Sequence, residues 1–351
     1  MFATLAGGYP FGPLPGRTGG FDAARRRWSE GRVGAEAFAS EVDAYVREIV
    51  AEQEASGLDM VEDAFACMPG EGLEGLASGL RAGSVGAEEL AAAWRSIPVG
   101  DGITAKVVLP GPWTIASGWS HELGRQTALR RSQHLVSDCL ATLASAGCVM
   151  VMLAEPALVH LGDDPRAWRD VGDTLAATCR DAAARLHLCL AITGGAPATA
   201  GHEVLGASPF ASHLVDVTSG PVAWAYLAAL PPERGVIVGA LDATSDAIDD
   251  PEMLVWAAAL GAASGGRGAE RVGIAPTGSL ASIDRHRARR KVEQMGVALQ
   301  LARLGPLGEV ARALQPDPGR SSIGSLRRLI ADHDAALGTT TSAAGGTRER
   351  P

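Results

Sequence analysis

"VMVMLAEPAL", residues 149–158, decides how this chain is read. A run of apolar and small residues suits a strand buried on both faces, as in a parallel sheet. Glu155 and Pro156 stand where that strand must end. A carboxylate at the mouth of an apolar strand is costly to bury without a partner or a task. Similar runs at 2–6, 58–65, 105–109, 187–193, 213–218, 235–241 and 271–275 are further predicted strands. Amphipathic stretches at 35–56, 124–146, 166–186, 248–263 and 283–304 alternate with them. This alternation predicts an α/β fold, a (β/α)8 TIM barrel, with a doubly wound open sheet as the alternative.

The barrel is expected to span residues 1–305. Segment 66–104 is long for one connection and carries Gly-rich turns and a short helix at 87–95, so it reads as a rim insertion or lid. Pro306 breaks the chain. Extra C-terminal helices near 307–315 and 322–337, split by "QPDPGRSS", form a helical extension over 306–337. The tail at 338–351, "GTTTSAAGGTRERP", has a composition that reads as disordered.

With 351 residues, 46% of them hydrophobic and 20% charged, the composition is that of a soluble globular protein. A net charge of −9 argues against nucleic acid and anionic membranes as partners. No apolar run has transmembrane length and no basic-plus-apolar leader opens the chain, so a cytoplasmic protein with a small-molecule substrate is expected. The five cysteines form no CxxC pair, which argues against a disulfide framework or a Cys-rich zinc site. Only Lys106 and Lys291 are lysines, a usage that reads as coding bias rather than chemistry. There is no Walker A loop, no GxGxxG after a strand and no G-x-S-x-G elbow.

Barrel active sites lie at the C-terminal strand ends. That rule selects Tyr9, Asp63, Glu155, Thr193, Asp242 and Thr244. Glu155 and Asp242 are the candidate acid/base groups; the structural alternatives are a loop cap or Arg pair for Glu155 and an Asx-turn for Asp242. Glu62 and Asp63 point to opposite faces of their strand, so at most one reaches the barrel axis. His187 and Cys189 read as core.

Six stretches in one order carry a resemblance. They are "AGGYPFG" (6–12), "EIVAEQEASGLDMVEDAF" (48–65), "VVLPGPWTIASGWS" (107–120), "AGCVMVMLAEPAL" (146–158), "GVIVGALDATSDAIDDPEML" (235–254) and "RVGIAPTGSL" (271–280). Together they resemble the catalytic C-terminal barrel of cobalamin-independent methionine synthase over about residues 3–304. The resemblance implies methyl transfer from 5-methyltetrahydrofolate to the thiol of homocysteine, with the thiol activated on zinc. It also implies that an aromatic after the 105–109 strand stacks the folate ring, which points to Trp113 and Trp119; packing on the rim is the alternative for both.

The zinc ligands of the family do not transfer. Their positions fall on Ala191 and Thr193, on Thr218 or Ser219, and on Gly278, none of them a soft ligand. The amino-acid pocket departs too, at Gly8, Phe65, Ala154 and Thr244. No metal is therefore expected, and a folate is the one cofactor the resemblance still implies. The expectation is a diverged one-carbon or methyl transferase acting on another small molecule. The alternatives are a non-catalytic small-molecule-binding barrel and a zinc-independent lyase or isomerase.

Overall fold

The structure, a computed structural model, describes residues 1–12, 21–63 and 72–314. The strands are β1 (Phe2–Ala3), β2 (Met60–Val61), β3 (Thr104–Ala105), β4 (Val107–Pro110), β5 (Met150–Ala154), β6 (His187–Ile192), β7 (Ser212–Asp216), β8 (Gly235–Leu241) and β9 (Val272–Pro276). The helices that position them are α1 (Phe21–Ser29), α2 (Ala35–Ala55), α3 (Gly72–Ala82), α4 (Ala87–Ser96), α5 (Pro112–Ser117), α6 (Ser120–Leu123) and α7 (Arg125–Ala146). They continue with α8 (Pro165–Cys179), α9 (His202–Gly206), α10 (Pro221–Ala229), α11 (Pro251–Ala263), α12 (Arg285–Ala302) and α13 (Leu307–Leu314).

All strand pairs are parallel, and a seven-stranded sheet runs in the order β1-β9-β8-β7-β6-β5-β4. No reversal of strand order occurs within it, so the doubly wound alternative is excluded. A second, two-stranded sheet, β2-β3, lies between the two edges of the first. The Thr4–Met60 bridge joins it to the β1 side, and β3 runs directly on into β4 on the other. The fold is a curled parallel sheet consistent with a TIM barrel, not the single closed eight-stranded ladder the sequence predicts. Local chemistry interrupts the ladder. The Asp59 carboxylate takes the Ala3 N–H at 3.0 Å, and the predicted strand at 105–109 changes partner at Lys106, whose N–H goes to Val61 O.

Helix starts follow from sequence. Asp164-Pro165 and Asp250-Pro251 open α8 and α11: each Asp accepts the second helical N–H and each Pro occupies the first position. Gly147, at φ 94°, ends α7 in the left-handed conformation that favours glycine. Segment 72–96 differs from the rim insertion expected: α3 and α4 bury Leu76, Leu80 and Leu90 and line, with Val107 and Val108, the space outside β4. They form the crossover layer between β2 and β3. α13 is the described part of the C-terminal extension; the helix expected at 322–337 and the tail lie outside the described residues.

Between the sheet and α10, fully buried His213 hydrogen-bonds through Nδ1 to the Tyr226 hydroxyl at 2.7 Å. Burial first, then Arg234 and Arg267, push the His213 pKa down to about 3. Among the described residues no helix is long and apolar enough to cross a membrane.

Candidate functional site at the strand ends

Register decides which strand-end side chains face the concave side of the sheet. Lys106 Nζ lies 4.0 Å from Met152 Sδ, and Met152, Cys189, Ser212 and Gly235 share one register layer. Two residues further on, Pro110, Ala154, Ala191 and Leu214 form the next concave layer. Asp216 and Thr193 follow at the mouth. Glu155, one residue past Ala154, turns to the convex side.

There the buried Glu155 carboxylate accepts the Trp113 N–H at 2.8 Å, the Thr114 N–H at 2.7 Å and the Thr114 hydroxyl at 2.5 Å. It caps the first turn of α5. A Cβ at Gly111 would overlap this carboxylate, which is why glycine stands there. Burial pushes the Glu155 pKa up to about 7, against the opposing hydrogen bonds from Thr114 and Trp113. Glu155 and Asp242 are thus not brought together.

Asp242 stands instead with Asp216, a residue not singled out from the sequence because its strand was read to run to 218. The two strand ends repeat one motif, Asp-x-Thr. Asp216 Oδ1 accepts the Thr218 N–H at 2.9 Å and its hydroxyl at 2.6 Å; Asp242 Oδ1 accepts the same two groups of Thr244, each at 2.8 Å. Burial raises the Asp216 pKa first, and the charge of Asp242 adds to it. Behind Asp242, its N–H donates to Asp249 Oδ1 at 3.1 Å, and Asp249 Oδ2 meets Lys291 Nζ of α12 at 2.6 Å, both side chains buried. The repeated Asp-x-Thr was the signal for Asp216, and the rarity of lysine was the signal for Lys291.

The neighbouring loops close on this pair. The Thr277 hydroxyl accepts the Ala243 N–H at 3.0 Å and the Thr277 carbonyl accepts the Gly194 N–H at 3.3 Å. Thr193 lies beside Gly278, half-buried, and Thr244 is exposed. Of the positions that the resemblance assigns to metal ligands, Thr193 and Gly278 thus lie side by side. The assigned positions carry a methyl, hydroxyls and a bare glycine, a donor set that does not fit zinc, and among the described residues no group of three or more His, Cys, Asp and Glu is placed to hold a metal.

The remaining candidates are placed elsewhere. Glu62, not Asp63, faces inward: its carboxylate pairs with Lys106 and accepts the Gly8 N–H at 2.9 Å, while Lys106 also donates to Leu5 O at 2.9 Å. Both are buried. Asp63 faces the α3–α4 layer with Trp94 and Ile97. Tyr9 packs against α2 and α12; burial, then the charge and hydrogen bond of Glu52, raise its pKa, and Arg285 holds Glu52 at 3.0 Å. Trp113 lines a cleft of about 220 Å³ with Ser117, Ser120 and Leu129, and the Arg125 guanidinium lies 4.9 Å from its ring. Trp119 is buried under Arg131, 4.5 Å from the ring centroid. Cys189 is core, whereas His187 is exposed at the opposite end of the sheet, where Ser212 Oγ lies 2.9 Å from its Nε2. A cavity of about 450 Å³ at that end mixes apolar residues with exposed charges of both signs, Glu233, Glu270 and Arg271, a lining that selects no ligand class.

No protein-family model and no curated protein matches the sequence. Solved structures do match the fold. A Listeria monocytogenes protein, provisionally described as a vitamin-B12 independent methionine synthase, aligns with a TM-score of 0.62 and 14% identity over 90% of this chain and 98% of its own. A B12-independent methionine synthase from a Shewanella species, in complex with selenomethionine, aligns at 0.61 and 14% over 86% and 97%. A methyltransferase from Methanosarcina mazei aligns at 0.51 and 13% over 83% and 93%. At these identities the likeness is one of fold, a distant structural relationship to methionine-synthase-like proteins.

Proposed function

We propose that this chain is a zinc-independent enzyme of the methionine-synthase type of barrel, closed by β2 and β3 as its second and third strands, that catalyses a methyl-transfer reaction on a small molecule at the C-terminal mouth. The pairing of Asp216 with Asp242 on adjacent strand ends carries this reading. Two carboxylates in one site divide into acid and base when their environments differ. Asp216, raised by burial and by its neighbour, supplies a proton. Asp242 accepts one. In the proposed reaction the methyl group leaves N5 of a reduced pterin for a nucleophilic acceptor. The acceptor's proton passes to Asp242, and Asp216 protonates the departing nitrogen. Trp113, held by Glu155 through α5, lines a separate cleft and takes no part in this step. With no soft ligands to activate a thiol, the acceptor is a nucleophile other than homocysteine.

Calorimetric titration with 5-methyltetrahydrofolate tests the reading. Wild type binds, and Asp216→Asn and Asp242→Asn each weaken binding or turnover by about tenfold or more, the scale of one lost polar contact. No binding to wild type, or stoichiometric zinc in the dialysed protein, overturns it. Binding without turnover under every acceptor tried favours a non-catalytic binding barrel.

A further inference from the structure

The turn after β8 is clamped from α12. Asp242, at its start, donates its N–H to the buried carboxylate of Asp249, and Asp249 is held by Lys291, a residue with no exposed surface. An exposed second clamp lies one helical turn earlier, where Arg287 donates to Asp246 O at 3.0 Å. Lysine is rare in this chain, and both side chains of this pair are buried. A buried ion pair brings little net stability over a well-packed apolar pair, so stability alone does not account for this one.

We propose that Asp249 and Lys291 are positioning residues: anchored on α12, they fix the turn that presents Asp242 to Asp216. This rests on the reading of Asp216 and Asp242 as the working acids. The pair acts through the backbone of Asp242 and touches no substrate. The charged and titratable groups concerned are Asp216 at the end of β7, Asp242, Asp246 and Asp249 in the turn after β8, and Arg287 and Lys291 on α12. If the clamp is released, Asp242 moves away from Asp216 and its charge no longer disfavours ionisation there.

Two double variants separate positioning from charge. Asp249→Asn with Lys291→Met keeps an acceptor for the Asp242 N–H; Asp249→Ala with Lys291→Met removes it. Neither leaves a buried charge unpaired. Carbon-detected NMR follows the Asp216 carboxyl through its titration. The Asn/Met variant is expected to titrate like wild type. The Ala/Met variant is expected to titrate at lower pH, in the same direction as Asp242→Asn. Identical Asp216 curves in the two double variants, even with a lower melting temperature, overturn the proposal. Amide exchange on wild type is a second reading: the Asp242 N–H exchanges slowly, and exchange as fast as at an unbonded turn amide overturns the inference. Neither measurement needs a ligand. The proposal and the assigned function can therefore fail separately.

Discussion

The Glu155 carboxylate accepts both the backbone N–H and the hydroxyl of Thr114, with no cation among its partners in the described residues. The strand that decides the fold thus ends on a cap for the first turn of α5, the helix that follows the neighbouring strand β4. The folded Glu155 pKa of about 7 lies above the ordinary carboxylate value, because burial outweighs the hydrogen bonds. Protonation is therefore favoured by folding. The stability tied to this group is present below the unfolded pKa and is lost as pH rises through about 7. Linkage puts the loss at roughly 3 kcal/mol. Urea unfolding of wild type and Glu155→Gln between pH 5 and pH 8 should show the stability of wild type relative to the variant falling as pH rises, because the histidine titrations are common to both and cancel in the difference.

His213 works in the opposite sense. Burial and two arginines hold its pKa near 3, below the unfolded value. Its contribution is present above about pH 6.5 and is lost as pH falls toward 3. Its ring protons should show no titration near neutral pH by NMR. A midpoint near the ordinary histidine value would contradict the buried, neutral state described here.

Lys106 and Glu62 join the β3–β4 junction to the end of β2 without any exposure to water beyond 2%. Lys106→Met alone leaves Glu62 as a buried unpaired charge and should cost about 3–5 kcal/mol. Adding Glu62→Gln, which keeps an acceptor for Gly8, should restore most of that loss. Chemical denaturation of the two singles and the double gives the coupling; a double as unstable as the worse single would refute the pairing as described.

Gly296 on α12 sits against the Ser56 carbonyl oxygen, at the end of α2, so closely that a Cβ there would overlap it. Gly296→Ala should destabilise the fold by about 1–3 kcal/mol through forced separation of α2 and α12. An unchanged melting temperature would show that the two helices yield freely.

Most strands were legible in the sequence because buried parallel strands leave continuous apolar runs, and the 150–154, 187–192 and 235–241 strands fall almost where those runs lie. The ladder at β1–β3 was not, because Asp59 and Lys106 replace regular pairing with side-chain chemistry that no periodicity reveals. For the site, the mouth was legible and the facing of its residues was not. One residue of register sends Glu155 to the convex side and leaves Ala154 facing inward. Composition alone could not show that the two lysines are both buried.

The burial of Lys106 and Lys291 also fixes how this protein meets reagents. The sequence has no other lysine, and neither side chain has any accessible surface. Amine acylation of the native fold finds no lysine to modify, and a lysine-specific protease finds no site. Each becomes reactive only when β2–β4 or the α12 clamp opens. Lysine labelling in this chain is therefore a direct clock for loss of the fold, with one reporter in each of two separate regions.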